Sequence, residues 1–168
     1  MAAPDSSCEV AHGNAAPKTA ERTLVAVFAS PVARFLLTYA RDLGYRPMLF
    51  EPDPMRELPT GVKVFFSAPD VDANADIVVT DHHRPELGSV LRDVLAGPSR
   101  WIGVLGNPRH PGPHVDALTA LGVPAADIAR VHRPVGLNIG SRTPAEIAIA
   151  TLAGLIADRN ARPGGFTF

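Results

Sequence analysis

The sequence predicts an α/β fold, a Rossmann-like three-layer sandwich with a mostly parallel central sheet. Three observations lead there. Short, wholly apolar runs recur along the chain, as strands covered on both faces require. Amphipathic helical patterns separate most of them, and successive parallel strands need such crossovers. Capping and stop signals bracket several helical segments. With 168 residues, 46% of them hydrophobic, the chain is long enough for one domain with a substantial core.

The first strand is expected over residues 24–29, LVAVFA. Ser30 then caps a helix, Pro31 occupies its first turn and Gly44 ends it. Val32, Phe35, Leu36, Tyr39, Ala40 and Leu43 form its apolar face. Residues 47–51 (PMLFE), 62–66 (VKVFF) and 75–80 (ADIVVT) read as the second, third and fourth strands. A helix over residues 85–95 turns Leu87, Val90, Leu91, Val94 and Leu95 inward. Residues 101–105 (WIGVL) read as the fifth strand. A helix over 113–121 stops at Gly122, and a short helical turn follows at 125–130. The last helix, Pro144–Arg159, is apolar nearly all round through Ile147, Ile149, Leu152, Leu155 and Ile156. Such a helix is buried on several sides, within the domain or in a subunit contact. Residues 1–22 read as a disordered leader, 23–160 as the domain and 161–168 as a flexible tail.

A net charge of −1 gives no electrostatic case for nucleic acid or for acidic membranes. No apolar run reaches membrane-spanning length, and the leader lacks a basic start and apolar centre, so a cytoplasmic protein is expected. The single cysteine, Cys8, excludes an internal disulfide framework and fits a reducing compartment.

In sheets of this type ligands bind beyond the carboxyl ends of the strands. The richest loop there is the segment 131–147, VHRPVGLNIGSRTPAEI. Asn138, Gly140, Ser141 and Arg142 precede a helix start in which Thr143 caps, Pro144 fills the first turn and Glu146 completes a capping box. A helix start presents unpaired N–H groups to an anion, and glycines let a ligand approach the backbone. The structural alternative is a well-capped helix behind a tight loop. The first strand–helix turn reads Phe28-Ala29-Ser30-Pro31-Val32-Ala33 and lacks the glycines of a dinucleotide fingerprint, so Ser30 is either a plain cap or a hydroxyl contact. Glu51 stands where an acid usually binds a ribose, and is otherwise a solvated strand-end carboxylate. Asp81, His82 and His83 follow the fourth strand and are able to orient a ligand or move protons; otherwise Asp81 caps the next helix. Asn107 and Arg109 offer an amide and a cation after the fifth strand. No metal site is assigned, because adjacent histidines diverge and Pro111 and Pro113 separate His110 from His114. No nucleophile elbow, Walker sequence or carboxylate dyad occurs.

The chain from about Leu24 to Ala157 resembles the C-terminal, Rossmann-like domain of the XdhC/CoxI family, accessory factors for xanthine dehydrogenase and related molybdenum hydroxylases. The specific match is His132-x-Pro134-x-Gly136-Leu137-Asn138-Ile139-Gly140-Ser141-Arg142-Thr143-Pro144-x-Glu146-Ile147-Ala148. Trp101-Ile102-Gly103-x-Leu105-Gly106, Thr80-Asp81-His82-His83 and Glu51-Pro52 are similar to further family segments. The family typically has Asp at Asn138, often Ala at Ser141, and a Gly-x-Gly-x-x-Ala first turn. It usually carries a preceding domain with a glycine- and cysteine-bearing motif, where this chain is read as a leader.

The resemblance implies a cofactor-handling chaperone rather than a metabolic enzyme. It would bind a molybdopterin-type cofactor or a related nucleotide and deliver it to an apo-hydroxylase such as xanthine or carbon monoxide dehydrogenase. Asn138, Gly140, Arg142 and Thr143 are the main expected contacts, with Asn107, Arg109, Asp81 and His83 as the opposite wall and Glu51 on a sugar or pterin edge. Family members are often dimeric. Two alternatives stay open: an NAD(P)-dependent Rossmann oxidoreductase, and a diverged scaffold without a ligand.

Overall fold

The computed structural model describes residues 6–16 and 20–165. It contains α1 (Ser6–Ala11), β1 (Arg22–Val27), α2 (Pro31–Asp42), β2 (Tyr45–Phe50), β3 (Lys63–Phe65), β4 (Ala75–Val79), α3 (Leu87–Leu95), β5 (Trp101–Val104), α4 (Pro113–Ala120), α5 (Ala125–Ile128), β6 (Val131–His132) and α6 (Pro144–Arg159). The six strands pair in the order β3-β2-β1-β4-β5-β6, and every pairing is parallel. This is the doubly wound order in which the chain reverses direction across the sheet between β1 and β4.

Strand alternation divides the core in two. On one face Val25, Val27, Ile77, Val79, Ile102 and Val104 meet α3 and α4 through Leu87, Val90, Leu91, Val94 and Leu118. On the other, Leu24, Ala26, Leu49 and Val78 meet α2 and α6 through Leu36, Leu37, Ala40, Leu152 and Leu155. The sheet is covered on both faces, which explains why its strands read as continuous apolar runs.

Local chemistry sets the boundaries. Ser30 Oγ accepts the Ala33 amide at 3.0 Å and caps α2, with Pro31 at the first position. β1 ends at Val27, two residues before the end of its apolar run, because Phe28 turns to φ 71°. That left-handed backbone is rare for a bulky residue. The side chain holds the turn in place: Phe28 is wholly buried in the α3-side core. Pro47 sits inside β2, where β3 pairs only with Met48, Leu49 and Phe50, so the outer side of position 47 needs no donor.

The segment expected to lack structure carries the short helix α1. The remainder of that expectation, at 1–5 and 17–19, lies outside the described residues, as does the tail at 166–168. Gly164, at the near end of that tail, lies against the Leu137 side chain.

Candidate functional site

The loop leading into α6 is shaped by contact with the helix it precedes. His132 stacks on Trp101, with ring centroids 5.0 Å apart and planes 5° from parallel. Gly136 (φ +87°) lies flat on α6: a Cβ there would fall 2.9 Å from the Ala150 carbonyl. The Leu137 amide donates to that same carbonyl at 3.0 Å. Gly140 (φ +70°) turns the chain towards Thr143, and nothing lies within 4 Å of where its Cβ would be.

The helix start then satisfies itself. Thr143 Oγ1 accepts the Glu146 amide at 3.3 Å, and Glu146 Oε2 accepts the amides of Thr143 at 3.1 Å and Arg142 at 2.7 Å. Hydrogen bonds from the Arg142 and Thr143 amides hold the Glu146 carboxyl below its ordinary range, so it is ionised at neutral pH. A carboxylate of the protein therefore occupies the place where an external anion would meet these amides. The side chains of Asn138, Ser141 and Arg142 are left over. Asn138 and Arg142 are exposed, and none of the three has a side-chain partner among the described residues.

The neighbouring rim is built by two short turns and one arginine. Asn107 Oδ1 accepts the Arg109 amide at 2.9 Å, and Asp81 Oδ1 accepts the His83 amide at 3.0 Å. Arg133 reaches across from the segment after β6 and donates to the carbonyls of His110 at 2.8 Å and Asn107 at 3.1 Å. It thereby joins the loop after β5 to the α6 loop. Sequence reasoning missed Arg133; its signal was a cation inside the 131–147 segment at a position with no obvious partner. The Arg109 side chain is exposed and has no partner among the described residues.

His83 is exposed, while half-buried His82 packs against it at 4.0 Å between ring centroids. Burial, then the charges of His83 and Arg133, pushes the His82 pKa down. Burial and Arg133 do the same to His114, a residue absent from the expected contacts. Both shifts favour the neutral imidazole.

Two expected contacts have internal partners. The Ser30 hydroxyl caps α2 and donates to Thr80 Oγ1 at 2.8 Å. Thr80 also lies 3.0 Å from the Val27 carbonyl and 2.9 Å from that of Phe28, so the turn after β1 is tied to the end of β4. Glu51 is not a solvated carboxylate. It is fully buried and paired with Arg84, whose Nη1 and Nη2 donate to its two oxygens at 3.0 and 2.9 Å. The Ala29 and Asp53 amides donate to it at 2.7 and 3.0 Å. Burial alone raises the Glu51 pKa, but the hydrogen bonds of Arg84, Ala29 and Asp53 together outweigh it and hold the group below its ordinary value. The bond to Glu51 likewise raises the pKa of Arg84. Position 84 carried no periodic or motif signal, which is why the sequence did not reveal the pair.

Three cavities have volumes of about 380, 250 and 240 Å³. The largest lies between the α2 start and the loop after β2, with Ser30, Arg34 and Arg56 among its walls. The third lies between Trp101, His132 and α6. None of the three is lined by residues 138–143. Asn138, Gly140, Arg142 and Thr143 of this rim are exposed. Among the described residues no group of three His, Cys, Asp or Glu side chains is arranged to hold a metal ion. No described helix is long and apolar enough to cross a membrane.

Comparison with known proteins decides the relationship. The model of the XdhC Rossmann domain matches residues 24–155. The chain belongs to the XdhC Rossmann domain family. It is 29% identical over 154 residues to the uncharacterized protein YqeB of Escherichia coli (strain K12), a match covering 84% of this chain and 28% of YqeB. It also superposes on a crystal structure of a xanthine dehydrogenase from Bacillus halodurans with a TM-score of 0.67 and 21% identity, covering 84% of this chain and 45% of the other. The chain therefore spans less than a third of the curated relative and under half of the solved one. At 21% identity the structural likeness establishes a shared fold. Within this XdhC-type domain, Gly136, Thr143 and Glu146 of the 131–147 segment have structural work to do, whereas the side chains of Asn138, Ser141 and Arg142 have no partner among the described residues.

Proposed function

We propose that this chain acts in the maturation of a molybdenum hydroxylase of the xanthine or carbon monoxide dehydrogenase type, as the cofactor-handling domain of an accessory factor. Its ligand is a molybdopterin-type cofactor or a related nucleotide, and its protein partner is the apo-hydroxylase. The family membership over residues 24–155 carries this reading. The residues of this rim fit the phosphate of such a group in one respect. Arg142 and Arg109 are exposed guanidiniums without internal partners, on loops that open at the carboxyl rim of one parallel sheet. Guanidinium is well suited to phosphate, because its fork forms paired, charge-assisted hydrogen bonds.

In this reading Arg142 and Arg109 bind the phosphate, and Asn138, Ser141 and Asn107 contact the polar edge of the ring system. Gly140, Thr143 and Asp81 shape the loops, and His83 lines the rim. When bound, the cofactor supplies redox chemistry that belongs to the hydroxylase. This chain's part is to hold and present it. The exposure of Arg142 and Arg109 suits presentation, since a ligand held by exposed groups remains within reach of a second protein.

The test is a calorimetric titration of the protein with molybdopterin, repeated with Arg142→Ala and Arg109→Ala. Losing one charge-assisted contact from an exposed group should weaken binding about tenfold, some 1.4 kcal/mol. Equal affinity in all three proteins would remove the assignment of the phosphate contact. Absence of binding to the wild type would remove the cofactor reading itself.

A further inference from the structure

Glu51 closes β2 and Arg84 follows β4, and these two strands flank β1. The pair therefore spans the carboxyl end of β1, at the point where the strand order reverses. In a doubly wound sheet this crevice receives the nucleoside half of a dinucleotide, and the acid at the end of the second strand holds the ribose. Here two parallel guanidinium donors meet that acid where ribose hydroxyls would. The guanidinium lies over the Phe28 ring, 4.6 Å from its centroid. Its Nε and Nη2 also donate to Glu86 at 3.2 and 3.1 Å, so every nitrogen of Arg84 is engaged. The first amide after the strand, Ala29 N–H, is already taken by Glu51. The left-handed backbone of Phe28 keeps the tight turn that a glycine normally makes, but its side chain fills the space a glycine would leave.

We propose that the Glu51–Arg84 pair is a built-in occupant of the ribose position at the carboxyl end of β1, closing that position to adenosine-bearing dinucleotides while the cavity beside it, between the α2 start and the loop after β2, stays open. The rim is thereby limited to ligands without that half, such as a pterin carrying a single phosphate. The ligand class rests on the function proposed above; the exclusion does not. To enter, an adenosine would have to separate two ions that lie out of water, leaving at least one buried charge unpaired.

The experiment is an NMR titration of the full chain with AMP and with NAD, read at the backbone amides of Ala29, Ser30 and Asp53. In the wild type these amides should not respond to either nucleotide. In Arg84→Ala the slot is vacated, and AMP should shift them saturably. A saturable response of these amides in the wild type overturns the proposal. So does silence in a folded Arg84→Ala protein, because the pair would then not be what excludes the nucleotide. If Arg84→Ala does not fold, Arg84→Gln keeps Glu51 and a hydrogen-bond donor beside it in a shorter side chain and is read in the same way. The wild-type titration stands regardless of either variant. A parallel titration with a pterin phosphate, read at residues 107–109 and 138–143, reports on the proposed function at different amides, so the two failures are distinguishable.

Discussion

Arg159, in the last turn of α6, donates from Nη2 to the buried carboxylate of Asp76 at 2.9 Å. Arg100 Nε donates to the other Asp76 oxygen at 2.6 Å, and the Tyr45 hydroxyl lies 3.4 Å away. Asp76 is wholly buried near the start of β4. One carboxylate thus joins the far end of α6 to the amino end of the sheet, while the opposite end of the same helix begins the candidate site.

Replacing Asp76 by alanine should cost about 3–5 kcal/mol, since two guanidiniums would lose a buried counter-charge. Arg159→Ala should cost less, because Asp76 keeps Arg100. Urea unfolding of the two variants checks the order. An Asp76→Ala protein as stable as wild type would show that water compensates both arginines.

Gly154→Ala should destabilise by roughly 1–3 kcal/mol. A Cβ at Gly154 would lie 2.8 Å from the Gly136 Cα, and backbone cannot swing aside as a side chain can. The α6 loop must lift to make room, so the variant should also disturb the amides of Leu137 and Asn138. A folded variant with unaltered chemical shifts at these positions would contradict the close approach of loop and helix.

Stability should fall in acid partly through Glu51. Its pKa is held below the ordinary value of 4.5 in the folded protein, so the unfolded chain takes up the proton more readily. The contribution is fully present above that value and is lost as pH falls through the lower folded value. Glu86 and Glu146 are shifted in the same direction and share this limb. In Glu51→Gln the acid loss of stability should be shallower, from a lower starting stability at neutral pH. Denaturation midpoints measured from neutral pH into the acid range give the comparison, and parallel curves for the two proteins would reject the Glu51 share.

The layered fold was legible because buried parallel strands write themselves as apolar runs, and α6 was legible to both ends because Thr143, Pro144 and Glu146 mark its start. β6 was not: Val131 and His132 are too few to form a run. β1 read two residues too far along the chain, since nothing local announces that Phe28 will adopt a left-handed turn. The site was legible in its loops and not in its pairings. The glycine-poor first turn was legible as a helix cap, which Ser30 makes. The partner of Glu51, Arg84, lies 33 residues away in sequence. Likewise Arg133 acts through carbonyls 23 and 26 residues distant, a relation no spacing rule contains.

The sheet ends at one side in three residues of β3 and at the other in two of β6. Borders this short present few free backbone donors and acceptors, so they make poor templates for an incoming strand. Growth of the sheet across molecules is thereby discouraged at both margins. Any partner, including a second copy, must meet this protein through its helical flanks or its loops.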